Sequence, residues 1–172
     1  MPPLPGLIVA RSSIHGYGLI AARRFAEGEI VTYGDGVLYK EDDDFVDSHA
    51  LVLPGDNGDP SWPADEDGEL PNFYYDLVDQ TRWINHSCDP NTDVDARWDP
   101  EARIVRTWWT ALRDIEPGEE IFYHYAFCAA VAEPCNCGTD ECNGLIIDPD
   151  EVDELPEALR VHLRTPAASR AS

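Results

Sequence analysis

The sequence predicts a single, mainly β domain, and three observations carry that prediction. Apolar residues fall in short runs of four or five, set apart by turns rich in glycine and proline. One stretch alone, near the C-terminus, repeats leucine at helical spacing. The 172 residues, 43% hydrophobic and 10% aromatic, suffice for one core and rule out wholesale disorder.

Taken in order, residues 7–10, 18–22 and 30–33 read as strands. The turns between them are His15-Gly16-Tyr17-Gly18 and Glu27-Gly28-Glu29. Residues 40–71 then read as an acidic surface insertion, because Pro54, Gly55, Gly58, Pro60, Pro63 and Gly68 leave little periodicity. Residues 103–107 alternate charged with apolar positions, as a half-buried strand does. Glu116-Pro117-Gly118-Glu119 suits a type II turn, and residues 121–125 follow as another strand. Leu155, Leu159 and Leu163 after Asp153 predict a terminal amphipathic helix packed on its own domain, stopped by Pro166, with residues 167–172 frayed.

Charge narrows the partners. Twelve Lys and Arg against 34 Asp and Glu give a formal net charge of −22, a field that repels phosphate backbones and attracts cationic ligands. Half of the acids sit in three stretches, at 41–47, 56–69 and 148–157, where solvated loops are expected. Direct nucleic-acid binding is disfavoured. Residues 1–10 carry no Lys or Arg and no apolar core of signal-peptide length, and no apolar run reaches the ~18 residues of a membrane span. The expectation is a soluble, cytoplasmic protein without membrane contact. Five cysteines, an odd number, then argue for metal or free thiols over disulfides.

Three segments carry chemistry. In Cys135-Asn136-Cys137-Gly138-Thr139-Asp140-Glu141-Cys142, three thiols within eight residues can chelate one tetrahedral zinc if a fourth ligand arrives from elsewhere. Cys88, Cys128, His86 and His124 are the candidates. The segment Arg82-Trp83-Ile84-Asn85-His86-Ser87-Cys88-Asp89-Pro90-Asn91 concentrates side-chain hydrogen-bonding groups around a proline turn, as a polar ligand pocket requires. In Gly118-Glu119-Glu120-Ile121-Phe122-Tyr123-His124-Tyr125, strand alternation puts Tyr123 and Tyr125 on one face and His124 on the other.

Together these segments resemble, in order and over roughly residues 8–146, a SET-domain protein lysine methyltransferase with its cysteine-rich post-SET segment. The resemblance implies a SET fold of several short sheets around a pseudoknot-like core, over residues 5–128. It implies a small post-SET zinc segment at 129–147, leaving an acidic linker, helix and tail at 148–172. His15, Gly16 and Tyr17 resemble the family's early glycine motif for S-adenosylmethionine; Arg82, Asn85 and His86 match its second cofactor motif. Tyr125 matches the catalytic tyrosine, which also contacts the cofactor, and Tyr33 matches a further active-site tyrosine. Phe73-Tyr74-Tyr75 offers the aromatic cofactor contact, with Phe73 placed first of the three. The family's fourth zinc ligand falls on Cys88, joining Cys135, Cys137 and Cys142 and leaving Cys128 free.

Three positions depart from the family pattern: His124 replaces an Asp, Gly34-Asp35-Gly36 follows Tyr33 out of register, and Leu145 stands where many relatives have an aromatic. Methyl transfer to a lysine needs a neutral amine, which a desolvating aromatic channel favours over the usual ammonium. The resemblance also makes Tyr123 the position where Tyr favours one methyl and Phe allows more. The expected function is S-adenosylmethionine-dependent, mainly monomethylating lysine methyl transfer to a basic protein such as a histone, a histone-like or a ribosomal protein. The alternative is a catalytically weak, zinc-stabilised SET-like module that binds a basic peptide.

Overall fold

A computed structural model of the chain describes residues 4–40, 43, 50–58, 60, 61, 64, 68 and 70–164. Five small sheets of two or three strands build the described part, and its helices are short 3-10 segments and one α-helical turn. Strands β1 (Leu7–Arg11) and β2 (Tyr17–Ala21) form an antiparallel hairpin. Then β3 (Ile30–Gly34) and β4 (Gly36–Lys40) follow each other with one residue between them but enter different sheets. Strands β5 (Ala50–Leu53) and β6 (Phe73–Leu77) complete the sheet β4-β6-β5.

The glycines that break the family register explain that parting. A Cβ on Gly34 would lie 2.7 Å from Trp109, and one on Gly36 would lie 2.8 Å from the Asp76 carbonyl. Only glycine lets the two strands pass this close to their neighbours.

The second half begins with β7 (Asn85–His86), β8 (Thr92–Asp99) and β9 (Ile104–Ala111). The β8–β9 hairpin joins β3 in the order β3-β9-β8. Val105, Thr107, Trp109 and Ala111 are buried along one face of β9, the period-2 pattern of β-branched and aromatic residues that a strand selects. Gly118, at φ +95°, occupies the left-handed position of the expected Pro-Gly turn, with the Glu119 N–H donating to the Glu116 carbonyl. Beyond it β10 (Phe122–Tyr123) pairs in parallel with β7.

Segment 119–123 is held between distant parts of the chain, giving the pseudoknot-like core. Ile121 N–H donates to the Leu19 carbonyl on one side. On the other, Asn91 donates to the Glu120 carbonyl and accepts from Phe122 N–H, each at 2.8 Å, while Thr92 donates to the Phe122 carbonyl at 2.7 Å.

A second cluster lies at the C-terminal end. Here β11 (Glu133–Pro134) and β12 (Leu145–Ile146) form a small hairpin, followed by a 3-10 segment at Pro149–Glu154 and the single helical turn α1 (Glu157–Arg160). The expected terminal helix is thus present but shortened. Pro156 has no N–H to donate and pushes Leu155 to an extended conformation (φ −54°, ψ 134°), which cuts the helix. Leu155, Leu159 and Leu163 nevertheless face one way and cover Ala129, Ala132, Leu145 and Ile147.

Three further expectations change. The stretch 40–71 is more than an acidic loop, because β5 pairs with β6 and buries Leu51 and Leu53. Its residues 41, 42, 44–49, 59, 62, 63, 65–67 and 69 lie outside the described residues, as does the tail 167–172. The strand expected at 121–125 is reduced to Phe122–Tyr123, since Ala126 turns the chain at φ +49°. That expected at 103–107 extends as β9 to Ala111.

Candidate active site

Asn85 gathers the first half of the site. Its side-chain amide donates to the carbonyls of His15 (3.2 Å) and Tyr17 (2.9 Å) and to the Glu120 carboxylate (2.8 Å). The other Glu120 oxygen accepts from the Ser12 hydroxyl at 3.0 Å. Asn85, the turn at His15-Gly16-Tyr17-Gly18 and Glu120 therefore form one hydrogen-bonded unit. A Cβ on Gly18 would collide with the Glu120 carboxylate, so glycine there admits the carboxylate. Gly16 takes φ +53°, and a Cβ on it would meet nothing within 4 Å, which leaves its backbone open to a ligand. The rings of Tyr17 and Trp83, 6.0 Å apart, flank this edge, with Arg82 placed 5.6 Å from the Trp83 ring. Backbone polar groups beside aromatic faces suit a purine nucleoside bearing a cationic sulfonium, so the residues present fit S-adenosylmethionine.

The second half is aromatic. Tyr123 and Tyr125 share one face as expected, with ring centroids 4.8 Å apart, although Tyr125 lies beyond the end of β10. Trp109 meets Tyr123 edge-on at 5.9 Å, and Phe127 lies 5.5 Å from Tyr125. The Tyr125 hydroxyl donates to the Ile84 carbonyl at 2.8 Å, while the Tyr123 hydroxyl has no hydrogen-bond partner among the described residues. Burial pushes Tyr125 up to about 12, with Glu120 adding to it, and raises Tyr123 well above its ordinary value. Both remain neutral phenols at physiological pH, able to hydrogen-bond but not to act as bases.

His86 joins this half to the cysteines. Its Nδ1 accepts from Tyr125 N–H at 3.2 Å and its Nε2 lies 3.5 Å from Cys88 Sγ. Burial, aided by His124, lowers its pKa to about 3 and keeps the ring neutral. His124 stacks edge-on against it at 4.8 Å and accepts from Ala126 N–H through Nδ1 at 3.1 Å. An aspartate at this position could accept the same i+2 N–H, which accounts locally for the exchange of Asp for His.

Cys88, Cys135, Cys137 and Cys142 bring their sulfurs within 4.8 Å of one another, and Cys88 Sγ lies 3.7 Å from Cys135 Sγ. Tetrahedral zinc with Zn–S bonds of about 2.3 Å spaces its sulfurs by about 3.8 Å, so the donor set fits zinc in kind, number and spacing. Burial pushes the Cys88 thiol up and that of Cys135 up to about 12, with neighbouring sulfurs adding repulsion. Cys137 moves down to about 6 because bonds from Thr139 and backbone N–H groups outweigh its burial. A cation relieves the crowding of such thiols. Cys128 is exposed and outside the cluster.

Tyr33 is 58% exposed and pairs with Trp108, on the face of the β3-β9-β8 sheet opposite Trp109. Phe73 is fully buried, its ring 3.0 Å from the position a Cβ on Gly58 would take. Leu145 is also fully buried, under Leu155. Conversely, sequence reading did not single out Glu120, Ser12, Ile84 or Trp109. Glu120 and Ile84 carried a signal, as members of the Gly-Glu-Glu and Arg82–Asn91 motifs; Ser12 and Trp109 carried none.

Comparison with known proteins agrees with this geometry. The sequence profile of the SET domain matches residues 16–126. The chain is 33% identical over 140 residues to "Histone-lysine N-methyltransferase, H3 lysine-4 specific" of Cryptococcus neoformans var. neoformans serotype D, covering 78% of this chain and 9% of that protein. It is 33% identical over 145 residues to "Histone-lysine N-methyltransferase 2B" of Homo sapiens, covering 78% of this chain and 5% of that protein. The chain thus spans less than a tenth of the length of these relatives. Among solved structures, a Plasmodium falciparum protein described as a histone methyltransferase matches with a TM-score of 0.51 at 16% identity, over 68% of this chain and 90% of the other. That likeness is one of fold.

Proposed function

Because this chain belongs to the SET-domain family, we propose that it is an S-adenosylmethionine-dependent protein-lysine N-methyltransferase that adds mainly one methyl group to a basic protein. The observation that carries the proposal is the meeting of two glycine- and asparagine-based motifs at Glu120 with the Tyr123–Tyr125 pair in the same 120–125 segment.

S-adenosylmethionine, when bound, supplies an electrophilic methyl group. His15, Gly16, Tyr17, Arg82, Asn85 and His86 would hold it, with Tyr125 facing it. A lysine side chain entering between Tyr123, Tyr125 and Phe127 exchanges water for aromatic walls, which disfavours its ammonium and releases the amine lone pair. Tyr125, its proton engaged by the Ile84 carbonyl, keeps oxygen lone pairs free to accept from the amine and align it. Tyr123 carries a hydroxyl with no protein partner among the described residues, available to hold the amine and limit room for further methyl groups. Catalysis here is by desolvation and positioning. Zinc, when bound, supplies a closed structural cross-link through Cys88, Cys135, Cys137 and Cys142, which ties the 133–146 hairpin to the cofactor motif.

The net charge of −22 and the histone-lysine specificity in the names of its relatives both support a lysine-rich basic substrate of histone type. The test is methyl transfer to a mixture of basic proteins by the wild type and by Tyr125→Phe. Transfer by the wild type, lost in Tyr125→Phe with partner binding intact, supports the proposal. Equal transfer by both removes Tyr125 from the chemistry. Binding of basic peptide without any transfer favours the binding-module reading.

A further inference from the structure

His86 accepts at one nitrogen and faces sulfur at the other. Its Nδ1 receives the Tyr125 N–H, so Nδ1 carries a lone pair and the proton of the neutral ring resides on Nε2. That Nε2–H lies 3.5 Å from Cys88 Sγ, within the reach of an N–H···S hydrogen bond. The ring cannot wander: the parallel pairing of His86 with Tyr123 fixes its backbone, His124 leans on its face, and it is 5% exposed.

The same assignment settles a competition for metal. His86, Cys88 and His124 also lie close enough together to hold an ion. Both imidazoles, however, accept a backbone N–H at Nδ1. Both therefore carry the proton on Nε2 and have no lone pair there for a metal. The four sulfurs remain the donor set.

We infer that His86 is a positioning residue that links the four-cysteine metal site to the catalytic tyrosine, donating from Nε2 to the Cys88 sulfur and accepting from the Tyr125 backbone at Nδ1. The inference rests on the readings above of zinc at the cysteines and of Tyr125 in the reaction. It extends them by making the metal site and the Tyr125 hydroxyl, anchored at Ile84, parts of one chain of hydrogen bonds. Metal ligands commonly depend on such outer contacts for orientation, and losing one costs about 10–100-fold in metal affinity or activity.

The experiment uses the full chain loaded with cobalt(II) in place of zinc, as wild type, His86→Phe and His86→Gln. Expected are a shifted sulfur-to-cobalt charge-transfer band and about 10–100-fold weaker cobalt binding in His86→Phe. Partial recovery is expected in His86→Gln, whose amide offers both an acceptor and a donor. In the zinc-loaded enzyme at saturating S-adenosylmethionine, kcat should fall more than the KM for the lysine substrate changes, because the loss acts through Tyr125 and the metal site; the KM for S-adenosylmethionine should rise as well, since His86 belongs to the cofactor motif. Should His86→Phe fail to fold, nitrogen chemical shifts of the wild-type histidines decide: an Nε2–H tautomer at His86 supports the inference, and an Nδ1–H tautomer overturns it. A folded His86→Phe with an unchanged band and affinity overturns it too. A wild type that binds no cobalt overturns the zinc reading itself and this inference with it, a different result from unchanged variants.

Discussion

Tyr123→Phe separates chemistry from stability. The Tyr123 side chain is 9% exposed, and its hydroxyl has no hydrogen-bond partner among the described residues, so its removal leaves no protein group newly unpaired. The phenylalanine ring keeps the edge-on contact with Trp109 and the contact with Tyr125. Stability should hold or rise by up to about 1 kcal/mol, which for a domain of this size is about 2–4 °C in Tm. Product should change in the opposite sense. A hydrogen bond from Tyr123 to the amine contributes about 0.5–1.5 kcal/mol, so its loss should raise the ratio of second to first methylation by roughly 2- to 13-fold. The space freed by the missing oxygen acts in the same direction. Mass spectrometry of a lysine peptide over a time course, with thermal melts of both proteins, reads both effects. An identical product distribution in the two proteins, or mostly trimethyl-lysine from the wild type, refutes the reasoning.

Removal of zinc by a chelator should abolish methyl transfer and expose the amides of residues 133–146 to hydrogen exchange, while β8 and β9 stay protected. Full activity after verified metal loss contradicts the structural cross-link. Leu155→Ala, at a site 3% exposed that covers Leu145 and Ile147, should cost about 2–5 kcal/mol, read by chemical denaturation, with exchange rising first across 129–147. Unchanged protection there would mean that the C-terminal segment does not clamp the cysteine hairpin. Methylation of a basic protein should slow as salt is raised from low ionic strength, because a net charge of −22 steers the encounter. A rate indifferent to salt removes that steering.

The parts of the fold legible in the sequence are those whose chemistry is local. The strands at 7–11, 17–21 and 30–34 follow from short apolar runs between turns, and Gly118 follows from its Pro-Gly pair. Strand β8 was missed although Thr92, Val94, Ala96 and Trp98 alternate with polar Asp93, Asp95, Arg97 and Asp99 and lie on the core side, because aspartate is otherwise depleted in strands. Strand β5 was hidden because four residues between acidic stretches carry no usable period, and their pairing with β6 comes from outside the segment. The terminal helix misled for the converse reason. Leucines at four-residue spacing need only a common face, and a 3-10 segment followed by one helical turn supplies it despite Pro156. At the site, the motifs named the residues but not their joints. That Asn85 reaches both the 15–18 turn and Glu120, or that His86 stands between Tyr125 and Cys88, depends on crossings between segments tens of residues apart.

Methyl transfer by this chain requires above all that the 15–18 turn and Asn85–His86 build one S-adenosylmethionine site. Calorimetric titration of the zinc-loaded protein with S-adenosylmethionine tests this without any knowledge of the substrate. Saturable one-to-one binding, lost when Asn85 and His86 are both replaced by alanine in a protein that still folds, is the predicted result. No binding by the folded, zinc-loaded wild type would contradict the account.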